Sequence, residues 1–131
     1  APRVQAVPTG IVFDGSRFLV STLSGFPFAR GAAKIFQVSP AGVVSEYRSG
    51  FTALTDLALA DDNKPLVTEY GEFVFNPPTT VGFQRATGRV ATEAGTTLRA
   101  AFDQPTDIER VSRRFYYVLS YGDGTLRALR Y

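Results

Sequence analysis

Short apolar runs alternate with turn residues along the whole chain, and no segment has a sustained helical period. In the first third the apolar runs are residues 11–13, 18–23, 34–38 and 43–48. Asp14-Gly15 and Pro40-Ala41-Gly42 lie between runs, and residues of these types tolerate the positive φ of hairpin turns. The pattern predicts four short antiparallel strands in this part of the chain.

A threefold internal repeat underlies this pattern. The segments VPTGIVFDGSRFLVSTLSG, ALTDLALADDNKPLVTEYG and QPTDIERVSRRFYYVLSYG align without a gap. Each contains a threonine followed 16 residues later by a glycine: Thr9 and Gly25, Thr55 and Gly71, Thr106 and Gly122. Gly42 and Gly88 extend this register, since they are 46 residues apart, the same separation as Thr9 and Thr55. The offsets predict strands over 57–59, 66–70, 80–84 and 89–93, and then over 108–111, 115–120 and 125–129.

Repeats of this length containing four antiparallel strands are typical of β-propeller blades. We therefore predict an all-β fold, a single partial propeller over residues 1–131. Its four-stranded antiparallel blades would span about 7–51, 52–101 and 102–131, half of a six-bladed propeller. A β-sandwich is the alternative, but it gives no reason for the repeated PTG, LTD and PTD starts.

The third unit stops one strand short of the other two. Residues 1–6 precede the first unit and are predicted to be a closing strand. We expect a homodimer in which this strand completes the partner's last blade, so that two copies close a six-bladed ring. The rival is a missing half of the same protein, because a chain without Met that begins with Ala is expected to be a fragment or a processed product.

Composition excludes several kinds of chemistry. The chain has no Cys and no His, so catalytic triads, Cys-His dyads and His- or thiolate-ligated metals cannot be built from it. The net charge of +2 gives little support to nucleic-acid binding. No apolar run approaches the roughly 20 residues of a spanning helix, so no membrane span is predicted.

Three further stretches resemble the ScyD/ScyE family of proteins: VQAVPTGI, STLSGFPFARGAAKIFQV and SGFTALTDLAL. The resemblance covers roughly residues 5–71 and weakens toward the C-terminus. It implies a six-bladed propeller of the NHL and SMP-30 type, of which this chain matches the later half. It also implies export, so we expect a secreted or extracytoplasmic protein.

Two long aromatic loops are predicted on the same face of the repeat units. The candidate contact residues are Phe26, Phe28 and Arg30 in the first loop and Phe73, Phe75 and Asn76 in the second. Loops on a rigid scaffold are common binding sites, and exposed rings supply contact area at low entropic cost. The alternative is that the four phenylalanines pack between blades.

Three acidic residues form a second candidate site. Asp56, Asp107 and Glu69 would lie near the channel mouth, where their oxygens could hold a hard cation such as Ca²⁺. The alternative, which we favour for the aspartates, is that each carboxylate accepts backbone N–H bonds where the chain enters a blade. Glu69 has the stronger functional claim, because Leu23 and Ser120 occupy the equivalent positions.

We expect a non-enzymatic binding or scaffold module without a cofactor, acting through the loop-rich face of an assembled propeller. The alternative is a metal-dependent lactonase or hydrolase of the SMP-30 type, with a divalent cation near Glu69 and Asp107.

Overall fold

The computed structural model describes residues 3–131, which contain 13 β-strands and no helix. The strands are β1 (Pro8–Phe13), β2 (Phe18–Thr22), β3 (Ala33–Val38), β4 (Val44–Phe51), β5 (Leu54–Leu59), β6 (Pro65–Glu69), β7 (Phe73–Asn76), β8 (Thr80–Phe83), β9 (Gly88–Thr92), β10 (Thr97–Phe102), β11 (Pro105–Ser112), β12 (Phe115–Ser120) and β13 (Thr125–Arg130). Because there is no helix, none in the described part is long and apolar enough to cross a membrane.

The strands form four antiparallel sheets. Sheet 1 has the order β1-β2-β3-β4, sheet 2 the order β5-β6-β9-β10 and sheet 3 the order β11-β12-β13, while β7 and β8 form a separate hairpin. The all-β antiparallel fold is therefore confirmed. Within residues 3–131 the sheets close no barrel or ring, so the number of propeller blades stays a prediction.

Sheet 2 differs from the prediction in its second half. Residues 80–84 were expected to form its third strand, but Thr80–Phe83 pairs with Phe73–Asn76 in the separate hairpin. The third strand is Gly88–Thr92, which pairs with β6, and the fourth is Thr97–Phe102. Gly42 and Gly88 are therefore not structurally equivalent, although they lie 46 residues apart, because the β7–β8 hairpin is inserted between them.

Residues 3–6 of the predicted closing strand adopt no strand within this chain, and residues 1 and 2 lie outside the described part. The Ala6 carbonyl instead accepts a hydrogen bond from the N–H of Ser24 at 2.9 Å. Gly25 permits this approach, since a Cβ there would lie 2.9 Å from Cγ1 of Val4. The segment therefore contacts its own first sheet.

Each sheet is entered through a residue in the left-handed backbone region. Val7, Ala53 and Gln104 have φ of 55°, 49° and 57°, which is uncommon for residues other than glycine. Their carbonyls accept hydrogen bonds from the N–H groups of Leu23, Tyr70 and Tyr121 at 2.8–2.9 Å. The three units therefore share a backbone conformation as well as a sequence pattern.

The first two strands also keep one register in all three sheets. The central pairs are Ile11 with Val20, Leu57 with Val67 and Ile108 with Val118. In each sheet the register shifts once near the start of the first strand, at Thr9, Thr55 and Thr106. The repeated threonine is therefore the bulged residue of every sheet.

Two buried apolar clusters join the sheets in sequence. The cluster between sheets 1 and 2 comprises Leu19, Ala33, Ile35, Phe51, Leu54, Leu57, Val67 and Ala91. The cluster between sheets 2 and 3 comprises Ala58, Ala60, Leu66, Val90, Phe102, Ile108, Tyr116, Val118 and Leu129. Sheet 2 thus buries both faces, and the sheets approach most closely at their first strands β1, β5 and β11.

Tyr116 provides a test of the packing between sheets 2 and 3. Its side chain is fully buried, and its hydroxyl has no hydrogen-bond partner among the described residues. Tyr116→Phe should stabilise the chain by about 1 kcal/mol, because an unsatisfied buried hydroxyl retains its desolvation cost. Urea denaturation at a fixed protein concentration measures the change in the free energy of unfolding.

Tyr47→Phe is the matched control, because the Tyr47 hydroxyl donates to the carboxylate of Glu93. This variant should lose about 1 kcal/mol. Loss of stability of the same size in both variants would contradict the packing described for Tyr116.

Candidate functional site

The repeated threonines connect each sheet to the next. The Thr9 hydroxyl donates to the carbonyl of Leu54 in sheet 2 at 2.9 Å, and the Thr55 hydroxyl donates to the carbonyl of Pro105 in sheet 3 at 2.7 Å. Thr106 has no following sheet among the described residues, and its hydroxyl reaches only Leu119 of its own sheet, at 3.4 Å. The hydroxyl at the bulge is therefore a connector between sheets.

Asp56 lies at the centre of this arrangement. Its Oδ2 accepts a hydrogen bond from the N–H of Ile108 at 2.9 Å, so it binds the neighbouring sheet. Its Oδ1 lies beside Gly10, where a Cβ would approach to 2.5 Å. Glycine at position 10 is therefore needed for the Asp56 carboxyl to fit between sheets 1 and 3.

Two of the predicted acidic residues meet. Burial and, second to it, a hydrogen bond with the Asp107 side chain raise the pKa of Asp56 to about 7, against the lowering effect of the N–H groups of Ile108 and Leu57. The Asp56 carboxyl is therefore partly protonated near neutral pH.

The third predicted acidic residue does not join them. The carboxylate of Glu69 is buried and accepts hydrogen bonds from Nε and Nη2 of Arg89 at 2.5 and 3.1 Å, and from the N–H of Thr52 at 2.9 Å. Both carboxylate oxygens of Glu69 therefore already bind donors within the chain. Residues 3–131 contain no group of three or more His, Cys, Asp or Glu positioned to hold a metal ion.

The two predicted aromatic loops do come together. Ring centroids lie 5.8 Å apart for Phe26 and Phe73, 5.4 Å for Phe26 and Phe75, and 5.0 Å for Phe28 and Phe73. All three pairs pack edge to face, the arrangement that aromatic quadrupoles favour. The loop after β2 is thereby fixed against the β7–β8 hairpin.

Two further rings complete what we call the aromatic cluster: Phe26, Phe28, Tyr70, Phe73, Phe75 and Phe83. The Phe83 ring lies 5.1 Å from both Phe28 and Phe73, and 4.7 Å from Tyr70. Phe83 was not among the predicted contact residues, because residues 80–84 were expected to form a strand of sheet 2. The alternation in FVFN and TVGF around two prolines is the signal that indicates a separate hairpin.

The cluster has a half-buried base and an exposed rim. Phe26 and Phe75 are 58% and 59% exposed, whereas the other four rings are half-buried. At its edge the guanidinium of Arg30 forms an ion pair with Glu72, which ties the first loop to the hairpin. Asn76 lies at the exposed hairpin tip, where its carbonyl accepts the N–H of Thr79 at 3.0 Å.

A scan against protein-family models, a search of curated proteins and a search of solved structures each found no significant match. The resemblance to the ScyD/ScyE family therefore stays a prediction.

The raised pKa of Asp56 predicts a pH-dependent stability. Between the ordinary pKa of 3.8 and the folded value of about 7, the folded chain holds a proton that the unfolded chain has released. The free energy of unfolding should therefore fall as the pH rises through this range. Asp56→Asn should flatten that fall, measured by urea unfolding at several pH values.

Asp14→Asn is the control for this experiment. Hydrogen bonds from the N–H groups of Ser16 and Arg17 lower the pKa of Asp14 to about 2, so its contribution changes only at more acidic pH. An unchanged slope in Asp56→Asn would contradict the assignment.

Glu69→Gln tests whether this residue stabilises the fold. We expect a loss of about 2 kcal/mol, because the half-buried Arg89 guanidinium would lose its charged partner. Arg30→Gln removes an exposed ion pair and should cost less than about 1 kcal/mol. If Ca²⁺ raised the Tm of the natural chain but not of Glu69→Gln, the structural role would be contradicted.

Proposed function

We propose that the chain is a non-enzymatic binding module whose contact surface is the aromatic cluster. The observation that carries this proposal is the pair of exposed rings, Phe26 and Phe75, packed 5.4 Å apart at the rim of the cluster. Adjacent exposed rings are costly to leave in water and supply the large apolar contacts that dominate binding energies.

The rigidity of the rim supports the same function. Phe26 packs on Phe28 and Phe73, and Phe75 packs on Phe26. The ion pair between Arg30 and Glu72 joins the two segments that carry the exposed rings. A surface that is held in place before binding loses little conformational entropy when a partner docks. The chemistry of the surface favours a partner with aliphatic or aromatic side chains in an extended or looped segment.

The scaffold in this proposal is a set of propeller blades. Three sheets with one register, stacked in chain order and closest at their first strands, are the arrangement found in propellers. The aromatic cluster then lies on the face where the loops after the second strands emerge. Export from the cytoplasm belongs to this proposal on the strength of the ScyD/ScyE resemblance alone.

The lactonase alternative receives no comparable support. The carboxylate of Glu69 is bound by Arg89, and the Asp56 carboxyl is bound by Ile108 and Asp107. The acidic residues that would hold the cation thus already bind other groups of the fold.

Selection from a random peptide library on the immobilised chain tests the proposal. Enriched peptides should contain aromatic or aliphatic residues. They should bind the double variant Phe26→Ser/Phe75→Ser at least tenfold more weakly, since truncating central anchor residues removes most of an interface's energy. Fluorescence anisotropy of labelled peptides measures the Kd for each protein.

Val43→Ser is the matched control, because Val43 is also highly exposed but lies in the β3–β4 turn, outside the aromatic cluster. It should bind the peptides as the natural chain does. Equal affinity of the double variant and the natural chain, or no enrichment over the bare support, would contradict the proposed contact surface.

A further inference from the structure

Sheet 3 presents an apolar face that is exposed at positions where the other sheets are buried. Leu126 pairs with Leu119, just as Ile35 pairs with Ser21 and Val90 with Thr68. Ile35 and Val90 are fully buried against the following sheet, whereas Leu126 is 62% exposed. Leu119 is 45% exposed, although Ser21 and Thr68 are buried. Leu119 and Leu126 therefore occupy positions that contact the following sheet in sheets 1 and 2, but in sheet 3 no following sheet covers them among the described residues.

Sheet 1 presents the complementary face. Pro8, Val20 and Phe36 line an apolar groove on its outer side. By register these residues are equivalent to Leu54, Val67 and Ala91 of sheet 2, all of which are buried against sheet 1. The open face of sheet 1 is thus equivalent to the face of sheet 2 that is buried against sheet 1.

The polar groups at the entries of the two sheets match in the same way. The Thr106 hydroxyl and the Asp107 carboxylate correspond to Thr55 and Asp56, which bind the carbonyl of Pro105 and the N–H of Ile108. In sheet 1 the equivalent groups are the Pro8 carbonyl and the Ile11 N–H, on the unpaired edge of β1. Sheet 3 therefore presents a hydroxyl donor and a carboxylate acceptor, and sheet 1 presents the matching carbonyl acceptor and N–H donor.

We infer that the open face of sheet 3 docks against the open face of sheet 1 in a second copy of this chain. The contact repeats the one already present twice within the chain: apolar side chains in the centre, with the Thr106 hydroxyl on the partner's Pro8 and the Asp107 carboxylate on the partner's Ile11. Two copies related by a two-fold axis make this contact twice and leave no sheet face open. No exchange of the N-terminal segment is required.

The choice of a second copy rests on this complementarity of both faces. Both faces are apolar at their centres, so burying them removes an exposed surface that monomers rarely retain. Continued addition in one direction would give an open filament, whereas sheets that approach one another most closely at their first strands can fan around one axis and close a ring. Two copies supply six sheets, a number within the range of about four to eight blades for propellers.

Two charged variants test the head-to-tail contact. Val20→Lys disables the face of sheet 1, and Leu126→Glu disables the face of sheet 3. Ile35 and Val67, the equivalents of Leu126 and Val20, lie in one buried cluster, so the two substitutions affect the same interface. By sedimentation velocity the natural 131-residue chain should be a dimer at micromolar concentration, and each variant should be a monomer with an unchanged circular dichroism spectrum.

Mixing the two variants should restore the dimer. The mixed pair retains one intact interface, formed by sheet 3 of the Val20→Lys chain and sheet 1 of the Leu126→Glu chain, and places opposite charges in the other. This rescue depends on folded subunits and on a contact between different faces. Val81→Lys, a change at an exposed position on the hairpin, should remain dimeric.

A natural chain that is monomeric at 100 micromolar, or that forms filaments, would overturn the inference. So would two variants that remain dimeric, or variants that fail to associate with each other. The peptide-binding variants Phe26→Ser and Phe75→Ser lie outside both faces, so their failure would leave the dimer intact and the two proposals are separately testable.

Discussion

The hydrogen bond from a bulged threonine to the backbone of the following sheet is the interaction on which the arrangement of this chain depends. Thr9 and Thr55 each bind the carbonyl of the residue directly before the next repeated threonine. The contact therefore fixes the position of each sheet along the next one. A side chain that bonds its own sheet would permit the sheets to slide past one another. Because the hydroxyl reaches across, the apolar faces meet at equivalent positions, and the two buried clusters follow from that alignment.

The sequence repeat was sufficient to predict the first two strands of sheets 1, 2 and 3, because the repeated threonine lies in the first strand and the glycine 16 residues later follows the second. The prediction failed in sheet 2 after Gly71, because the apolar alternation of the β7–β8 hairpin resembles that of a third strand of the sheet. Periodicity reports that a segment is a strand, but it does not report which strand is its neighbour. The left-handed residues Val7, Ala53 and Gln104 were also hidden, because none of them is a glycine.

The candidate site residues could likewise be found from the sequence, but their contacts could not. The aromatic loops were found from composition and position, and their contact follows from the insertion that brings Phe73 and Phe75 toward Phe26. Glu69 was singled out because the repeat does not require it, and that observation was sound. Its explanation lies in Arg89, whose place beside Glu69 depends on the unpredicted register between β6 and β9. A non-repeated charge in a repeat protein therefore needs its cross-strand partner identified before a catalytic or metal-binding role is assigned.

The inserted hairpin also gives the repeat its asymmetry. Sheets 1 and 3 have no counterpart of β7 and β8, so the aromatic cluster occurs once in each chain. In a two-copy ring the cluster would occur twice, on opposite sides of one assembly. A partner with two matching segments would then engage both clusters, and its second contact would form at the effective concentration set by the ring rather than by free diffusion. Docking of the sheets and binding by the aromatic cluster are separate interactions. The docking would nevertheless determine the affinity for such a partner, because it holds two clusters in one assembly.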